Sequence, residues 1–367
     1  MTSLTIVIAG GGTGGHLYPG IAVAREIQRR VPAATVSFAG TSRGLESRIV
    51  PREGFELDLI RAAGIKGKSI GARLRGAFLI PAGLFDAWRL LGKRRPDVVI
   101  GVGGYSSGPV VLAAAMRRIP TMVLEQNAVP GLTNRMLAPF VRAAAVTYAQ
   151  TLSFFGRRGF VTGNPVRAEF FQTSNFELRT SKFRRVLILG GSQGAHAINM
   201  AMVAAAPWLV RGLPGLEVVH QTGERDLATV REEYQRAGIP ARAESFFDAV
   251  AGEMTAADLV ICRSGASTLA ELAAAGRPAV LIPFPAATDD HQRKNAKVLA
   301  DAGAAVLIDE KDLSPESLGE AAGTILAERA RRQAMSGAMS GFARPDAAAR
   351  IVDRVFALAR YTEGAAA

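Results

Sequence analysis

The sequence is poor in cysteine, since Cys262 is the only one in 367 residues. One cysteine excludes an internal disulfide and a cysteine-based zinc site, and it suits a reducing cytoplasm. Aromatic residues are also few, at 7% of the chain, whereas 49% of the residues are hydrophobic, with Ala, Val and Leu prominent. This composition favours α/β layers over a β-sandwich.

The sequence also lacks a long unbroken apolar run. Its longest uncharged stretch, residues 98–116, is interrupted by four glycines and Pro109, so a transmembrane helix is not expected there. No basic residue precedes the first apolar run, which leads directly into glycines, and this predicts a first strand rather than a signal peptide. The length suits two ordinary domains.

Acidic residues are scarce in one segment. Between Arg61 and Arg95 there are nine lysines and arginines against one acid, Asp86, so nine minus one gives +8 of the formal +12. Such a patch favours partners that carry phosphate groups. No helix-turn-helix, RNP-like motif or zinc spacing accompanies it, so a nucleic-acid partner is not expected.

The same segment has apolar residues near helical spacing. An apolar patch flanked by cations favours peripheral attachment to an anionic membrane surface. The membrane contacts expected from this pattern are Phe78, Leu79, Phe85 and Trp88. A helix packed on a sheet would explain Trp88 and Leu91 equally well, but it would not explain the flanking cations.

Short apolar runs alternate with helical patterns along the whole chain. Continuous apolar strands separated by helices predict parallel sheets covered on both faces, the α/β class. The runs that we assign to strands are Leu4–Ala9, Thr35–Ala39, Val98–Val102, Thr121–Leu124, Val186–Leu189, Glu217–His220, Leu259–Cys262 and Ala279–Pro283.

The pattern restarts in the middle of the chain, which predicts two Rossmann-like doubly wound domains facing a cleft. The polar, turn-prone stretch after Gly163 suits a boundary, so one domain is expected at residues 1–165 and a second at 166–344. A last helix, at about 345–361, packs on the second domain or back on the first. Its pattern does not decide between them.

The first glycine loop, residues 10–16, contains G-x-G-x-x-G between a strand and a helix, where backbone N–H groups hold phosphate. A dinucleotide site also needs an acid at the end of the second strand, to bind the adenine ribose. Here residues 40–43 carry none, and the first acid is Glu46. A nicotinamide cofactor is therefore disfavoured, with Arg43 leaving only NADP open, and no cofactor is expected.

Two further glycine loops, residues 101–109 and 190–194, also precede helical patterns. A tight turn that needs positive φ explains any one of them. Three such loops favour phosphate binding, because the side-chain donors Thr13, Ser192 and Gln193 lie among the glycines.

The stretch from Cys262 to Pro278 is the most specific of these patterns. A strand ends at Cys262, Gly265 turns the chain, and a helix begins with small residues that leave its N–H groups accessible. Glu271 lies one to two turns into that helix, where it suits ribose hydroxyls while the helix N-terminus faces a pyrophosphate. An ordinary solvated carboxylate is the alternative for Glu271.

Six motifs occur together in the order seen in one family. They are Gly11–His16, Gly103–Tyr105, Glu125–Asn127, Gly163–Arg167, Gly191–Ala195 and Arg263–Ala266. Across nearly its whole length the sequence resembles the peptidoglycan N-acetylglucosaminyltransferases of glycosyltransferase family 28. The resemblance implies a GT-B fold and a metal-independent, inverting transfer of N-acetylglucosamine from UDP-N-acetylglucosamine to the 4-hydroxyl of undecaprenyl-diphosphate lipid I, giving lipid II. It also implies a peripheral position on the cytoplasmic face of the bacterial plasma membrane.

The resemblance further implies which residues bind UDP-N-acetylglucosamine. They are Thr13, Gly14, Gly15, Asn127, Arg167, Ser192, Phe247, Ala266, Ser267, Thr268, Leu269, Ala270, Glu271 and Gln292, supported by Tyr105, Glu125, Gln193 and Arg263. Asn127 and Gln292 are expected at the sugar, the backbone of Phe247 at the uracil, and residues 266–271 at the pyrophosphate and ribose. Some relatives have Gln-Gln where this chain has His291-Gln292, which leaves the contacts of position 291 open.

His16 is the candidate catalytic base, because imidazole titrates near neutral pH and the residue ends a glycine loop. A hydrogen bond to phosphate or to the acceptor is its alternative role. No D-x-D motif is present to hold a divalent ion. Helix N-termini, Arg167 and Arg263 are therefore expected to stabilise the departing diphosphate.

Three other functions remain open at this stage. The same fold and nucleotide pocket would suit another glycolipid glycosyltransferase or a UDP-sugar 2-epimerase, and a catalytically inactive membrane scaffold would retain the fold. The Glu125–Asn127 motif and the loops of the first half favour the lipid I transferase, since they are expected on the acceptor side.

Overall fold

The structure is a computed structural model that describes residues 4–62, 70–172, 184–191 and 194–362, with only the backbone for residues 70–79. The chain forms two compact units, Met1–Arg167 with Arg344–Ala367, and Ala168–Ala343. Each unit contains one parallel sheet with helices, which confirms the predicted α/β doubly wound class.

The first unit holds a seven-stranded sheet in the order β3-β2-β1-β4-β5-β6-β7, in which every pairing is parallel. Its strands are β1 (Thr5–Gly10), β2 (Thr35–Gly40), β3 (Glu56–Leu59), β4 (Val98–Gly103), β5 (Thr121–Glu125), β6 (Ala143–Val146) and β7 (Gly159–Val161). Ile6 of β1 pairs with Val36 on one side and Val98 on the other. The strand order therefore reverses between β1 and β4.

The helices that go with this sheet are α1 (Gly14–Arg30), α2 (Glu46–Arg52), α3 (Ile70–Arg94), α4 (Ser107–Met116) and α5 (Leu132–Leu137). The central strands are fully buried, and two clusters of apolar side chains cover the two faces of the sheet. This burial on both faces explains why these strands read as continuous apolar runs.

The second unit holds a six-stranded sheet in the order β10-β9-β8-β11-β12-β13, again parallel throughout. Its strands are β8 (Arg185–Leu189), β9 (Glu217–Gln221), β10 (Ala241–Glu244), β11 (Leu259–Cys262), β12 (Ala279–Leu281) and β13 (Ala305–Leu307). Its helices are α6 (Glu169–Gln172), α7 (His196–Gly212), α8 (Leu227–Arg236), α9 (Val250–Ala256), α10 (Ala266–Ala275), α11 (His291–Asp301), α12 (Pro315–Ala327) and α13 (Arg329–Ser340). The order here reverses between β8 and β11.

All eight strands predicted from the sequence are present, with ends shifted by no more than two residues.

Local sequence signals explain where two of the helices begin or end. The hydroxyls of Ser314 and Ser317 form a capping box at the start of α12, with Pro315 at its first position. Gly276 ends α10 in the left-handed conformation, with a φ of 62°.

The last helix, α14 (Ala347–Ala359), packs against α1 in the first unit. Ile351 and Val355 join the core that covers one face of the first sheet. Arg30 of α1 pairs with Asp353 at 2.6 Å, and its guanidinium lies 4.9 Å from the centre of the Phe356 ring. The chain thus leaves the first unit after Arg167 and returns to it at Arg344.

Candidate functional site

In each sheet the loops predicted to bind substrate follow the two strands at which the strand order reverses. The first two glycine loops follow β1 and β4, and in the second unit the loops beginning at Gly190 and Arg263 follow β8 and β11. Ligands of open α/β sheets bind in the crevice at the carboxyl ends of such strands. The topology therefore brings the predicted residues of each unit to one edge of its sheet.

The first two glycine loops pack directly on each other. A Cβ on Gly104 would collide with the carbonyl oxygen of Gly11, and one on Gly10 would lie 2.8 Å from that of Gly103. Glycine is required here because two backbones approach each other closely, in addition to the positive φ of Gly11, Gly103 and Gly104.

His16 lies in the first turn of α1, where its ring faces Gly103. Its Nδ1 is 3.1 Å from Oγ1 of Thr13, the residue that precedes the helix. The ring is half-buried, whereas Thr13 is exposed. The Thr13 hydroxyl and the Gly103 backbone together orient the imidazole.

Tyr105 lies on the other side of the first loop. Its ring covers Gly12, where a Cβ would be 3.1 Å from Cε1, and its hydroxyl is 3.5 Å from Oγ1 of Thr41 at the end of β2. The side chain therefore bridges the ends of β4 and β2 over the glycine loop.

Glu125 is a buried anchor for the loop that follows β5. Its carboxylate accepts hydrogen bonds from the backbone N–H groups of Asn127 and Gly131, both at 3.0 Å. It also accepts from the side-chain amides of Asn127 at 3.1 Å and Asn134 at 2.9 Å. Burial raises the pKa of Glu125, and these hydrogen bonds act in the opposite direction. Glu125 thus orients Asn127 and is itself 2% exposed.

Arg167 is the last residue of the first unit before the chain enters the second. Its guanidinium lies 5.3 Å from the centre of the Tyr18 ring on α1. The division falls two residues after the predicted boundary, and the contact with Tyr18 lies within the first unit. Tyr18 was not singled out in the sequence, where it reads as an ordinary helix residue.

In the second unit the loop after β8 is held by its neighbour β9. The Gln221 side chain donates to the carbonyl of Gly191 at 3.1 Å, and a Cβ on Gly194 would collide with the carbonyl oxygen of Thr222. Ser192 and Gln193, the predicted side-chain donors of this loop, lie outside the described residues.

The N-terminus of α10 follows β11 after three residues. Residues 266–268 are half-buried, and the backbone N–H of Leu269 donates to the carbonyl of Gly265 at 3.0 Å. Leu269 is 2% exposed, so its side chain is buried within the second unit. Glu271 is half-buried. Burial and the nearby Glu271 carboxylate raise the pKa of the Cys262 thiol to about 12, which makes the only cysteine unreactive.

Gln292, in the first turn of α11, is oriented by its neighbours. Its Oε1 accepts a hydrogen bond from the backbone N–H of Phe284 at 3.0 Å. The hydroxyl of Ser264 donates to the Gln292 carbonyl at 2.9 Å, which ties α11 to the loop before α10. With Oε1 engaged, the Gln292 amide presents its Nε2 as a donor.

Arg263 is largely committed within the second unit. It pairs with Glu310 at 2.5 Å and donates to the carbonyls of Ile282 and Pro283 at 3.2 and 3.1 Å. Its guanidinium also stacks on Phe284, with 5.5 Å to the ring centre. These contacts suit a residue that shapes the 282–284 loop.

Phe247 follows β10 and is 3% exposed. The guanidinium of Arg242 lies 4.9 Å from the centre of the Phe247 ring. The side chain is thus fixed in the unit, and any ligand contact at this position would use the backbone.

The exposed face of α3 carries large apolar side chains. Phe85 is 64% and Trp88 43% exposed, whereas Leu91 is buried in the core at 1%. The guanidinium of Arg117 on the chain after α4 lies 4.8 Å from the Trp88 ring centre. Packing on the sheet therefore explains Leu91 but not Phe85 or Trp88. The side chains of Phe78 and Leu79 lie outside the described residues.

Among the described side chains of the basic segment, Arg61 and Arg94 form ion pairs. Arg61 pairs with Asp86 at 2.7 Å, and Arg94 pairs with Asp58 at 2.7 Å and Glu56 at 2.6 Å. Asp58 and Glu56 lie before Arg61 in the chain and were not included in the +8 of residues 61–95. The net charge around this segment is therefore lower than +8. Among the helices of the described residues, none has the length and apolar character needed to cross a membrane.

Comparison with known proteins identifies the family. The glycosyltransferase family 28 N-terminal domain matches residues 6–146, and the family 28 C-terminal domain matches residues 185–351. A relative from Anaeromyxobacter sp. (strain K), a UDP-N-acetylglucosamine–N-acetylmuramyl-(pentapeptide) pyrophosphoryl-undecaprenol N-acetylglucosamine transferase, is 45% identical over 97% of this chain and 94% of its own length.

Comparison with solved structures supports the same family. The crystal structure of Acinetobacter baumannii MurG is 32% identical, with a TM-score of 0.79 over 96% of this chain and 99% of that one. A UDP-N-acetylglucosamine 2-epimerase from Listeria monocytogenes, covering 97% and 96%, has a TM-score of 0.72 at 15% identity, which shows the shared fold alone. Both domain matches and the near-complete coverage lead to one conclusion: the chain is a GT-B glycosyltransferase that belongs to glycosyltransferase family 28.

Proposed function

We propose that this chain transfers N-acetylglucosamine from UDP-N-acetylglucosamine to the 4-hydroxyl of the N-acetylmuramoyl-pentapeptide of undecaprenyl-diphosphate lipid I, with inversion, giving lipid II. The observation that carries this is 45% identity over 97% of the chain to a transferase whose name states that donor and that acceptor. The likeness to an epimerase is limited to the fold. In this proposal the first unit binds the acceptor and the membrane, and the second unit binds most of the donor, with further donor contacts from the first.

The donor's diphosphate binds at the N-terminus of α10. The backbone N–H groups of residues 266–268 and the positive end of the helix dipole suit an anion at this position. Glu271, farther along the helix, accepts hydrogen bonds from the ribose hydroxyls, and the backbone of Phe247 meets the uracil. The half-buried state of residues 266–268 and of Glu271 supports these assignments.

The transferred sugar is held by two amides. Gln292 donates through Nε2, since its Oε1 is engaged by Phe284, and this geometry supports a hydroxyl acceptor on the sugar. Asn127 is fixed by Glu125. Thr13, Gly14 and Gly15 approach the donor from the first unit, and Ser192 and Arg167 approach its phosphates.

His16 takes the proton from the acceptor hydroxyl. In the tautomer in which Nδ1–H donates to Oγ1 of Thr13, 3.1 Å away, the lone pair lies on Nε2, and this is the atom that accepts the proton. The acceptor oxygen forms a bond to the anomeric carbon from the face opposite the diphosphate. The carbon–oxygen bond to UDP breaks, and UDP leaves with the electron pair, so the anomeric centre inverts.

The departing charge is stabilised by the α10 N-terminus and by Arg167, without a divalent ion. Preorganised N–H groups serve this purpose wherever charge develops at a fixed position. Full activity in excess chelator is the expected result, and loss of activity that added metal restores would contradict this part of the proposal.

Peripheral attachment to an anionic membrane surface uses Phe78, Leu79, Phe85 and Trp88 on α3. The exposure of Phe85 and Trp88 supports it. The exposed Arg89, on the same stretch of helix, adds a cation close to the apolar side chains, and each such cation contributes about 1 kcal/mol near an anionic surface.

A label-transfer assay tests the function. Wild-type protein is given UDP-N-acetylglucosamine labelled in the sugar and a lipid I analogue, and the product's anomeric configuration is determined. We expect a β-linked disaccharide lipid that depends on the acceptor. Formation of UDP-N-acetylmannosamine without acceptor would indicate an epimerase. A UDP-binding protein without turnover would indicate a scaffold. His16→Ala should lower kcat by at least 100-fold while the Kd for UDP stays within twofold.

A further inference from the structure

A buried carboxylate lies inside the first glycine loop. Glu46, the first residue of α2, is fully buried. Its Oε2 accepts a hydrogen bond from the backbone N–H of Gly12 at 2.9 Å. Its Oε1 accepts from the N–H and from the hydroxyl of Thr41, both at 2.9 Å. One side chain thus joins the end of β2 to the loop after β1.

The Glu46 side chain is enclosed by glycines that have no room for a side chain of their own. A Cβ on Gly11, Gly40 or Gly44 would come closer than 3.0 Å to the Glu46 side chain. Three glycines from two loops are therefore needed to enclose the carboxylate. In the sequence Glu46 stood out only as an acid too late to end the second strand, and Gly40 and Gly44, which precede it, were the available signal.

This arrangement changes what the first loop can bind. A glycine loop between the first strand and helix ordinarily offers its N–H groups to the phosphates of a nucleotide. Here a carboxylate of the chain itself takes the N–H of Gly12. A diphosphate at this loop would compete for that donor and lie close to an acidic group, which costs free energy when the acid is desolvated.

We propose that Glu46 is a positioning residue with two consequences. It fixes residues 10–12 and thereby the orientation of Thr13 and His16, which follow in the chain, and it keeps the nucleotide diphosphate off the backbone N–H groups of the first glycine loop. The first consequence rests on the proposed function, because it concerns the transfer step at His16. The second does not, because it concerns binding alone.

The network around Glu46 supports this role. The Thr41 hydroxyl that donates to Glu46 is 3.5 Å from the Tyr105 hydroxyl, and the Tyr105 ring covers Gly12. The ends of β1, β2 and β4 thus converge on one acid. Loss of one acceptor atom should loosen all three and move His16, which lies against Gly103 of β4.

Glu46→Gln tests the proposal with an isosteric change. The amide nitrogen of Gln is a donor, so it faces either the Gly12 N–H or the Thr41 donors without accepting from them. We expect kcat for transfer to fall at least 10-fold while KM for UDP-N-acetylglucosamine and the Kd for UDP stay within twofold. Glu53→Gln is the matched control, because Glu53 ends the same helix, is partly exposed and pairs with Arg25. Its kcat should equal that of the wild type.

Amide hydrogen exchange gives a readout that does not depend on turnover. In the wild type the peptide spanning residues 9–16 should exchange at the same rate with and without saturating UDP, whereas residues 263–271 should be protected by UDP. In Glu46→Gln the 9–16 peptide should exchange at least 10-fold faster. Protection of that peptide by UDP in the wild type, or an unchanged rate in the variant, would overturn the inference.

Thr41→Val covers the case in which Glu46→Gln does not fold. This variant keeps the shape and removes one of the three hydrogen bonds, so a three- to tenfold loss of kcat at unchanged UDP affinity is expected, with faster exchange of the 9–16 peptide. Wild-type kinetics and exchange in Thr41→Val would overturn the inference. Failure of the proposed function is separate, since it would show as a wild-type protein that binds UDP and transfers no sugar.

Discussion

The imidazole of His16 lies against the backbone of Gly103, so that a Cβ at that position would stand 2.7 Å from Cδ2 and 3.1 Å from Nε2 of the ring. The φ of Gly103 is 98°, which L side chains rarely adopt. The second glycine loop therefore limits where the candidate base can lie.

Gly103→Ala should displace His16 and lower kcat about 100-fold, since a misplacement of about 1 Å can cost this much. The Kd for UDP should not change, because the second unit is untouched. Steady-state kinetics and calorimetry measure both. Gly54→Ala is the control, because Gly54 has a φ of 81° but nothing within 4 Å of an added Cβ. An equal loss of kcat in both variants would contradict the role of the His16–Gly103 contact.

Gln292→Glu keeps the acceptor that Phe284 engages and removes the donor Nε2. If Gln292 donates to the sugar, KM for UDP-N-acetylglucosamine should rise about 10-fold, the equivalent of one hydrogen bond worth about 1.4 kcal/mol. The Kd for UDP, which lacks the sugar, should stay within twofold. Gln235→Glu, an exposed change of the same charge on α8, should leave both unchanged. Equal weakening of UDP and UDP-sugar would place Gln292 away from the sugar.

Phe85→Ser should reduce binding to vesicles that contain anionic lipid by about 10-fold, because an exposed phenylalanine contributes roughly 1.5–3 kcal/mol when it is buried in an apolar phase. Cosedimentation at low salt measures the binding. Phe246→Ser is matched in exposure, at 55% against 64%, and lies in the second unit. Its vesicle binding should equal that of the wild type, and equal losses in the two variants would argue against attachment through α3.

His220 gives the second unit a stability that depends on pH. It is fully buried between Tyr234, at 2.9 Å from Nδ1, and Asn199, at 3.0 Å from Nε2. Burial lowers the pKa of His220 from 6.5 to about 3, with Asp226 acting weakly in the opposite direction. The unfolded chain therefore binds a proton below pH 6.5 that the folded chain does not bind until about pH 3.

The contribution of neutral His220 is thus complete above pH 6.5 and is lost as the pH falls toward 3, by up to about 1.4 kcal/mol per pH unit. His220→Gln removes this titration. The difference in free energy of unfolding between wild type and variant, from urea titrations at pH 7.5, 6 and 5, should shift against the wild type as the pH falls. A constant difference over that range would refute the prediction.

Much of the site was predictable from local sequence because loops after parallel strands meet at one sheet edge. Gly103 and His16 were both singled out, but their contact was not, since it depends on the pairing of β1 with β4. Glu125 was expected on the acceptor side, and in the structure its carboxylate serves Asn127 and Asn134. The burial of a side chain and the positions of its hydrogen-bond partners depend on how the chain packs, so the spacing of residues in the sequence does not predict them.

The sequence by itself determined the α/β class, the eight principal strands and the family, because strand runs, glycine turns and motifs are local patterns. The tertiary structure decided that α14 packs on α1 and that Glu46 binds within the first glycine loop. The pattern of an amphipathic helix does not say which apolar surface it packs on, and the position of a single acid does not say which donors it accepts from. The packed fold decides both, through contacts between residues far apart in the chain, such as that of Arg30 with Asp353, 323 residues away.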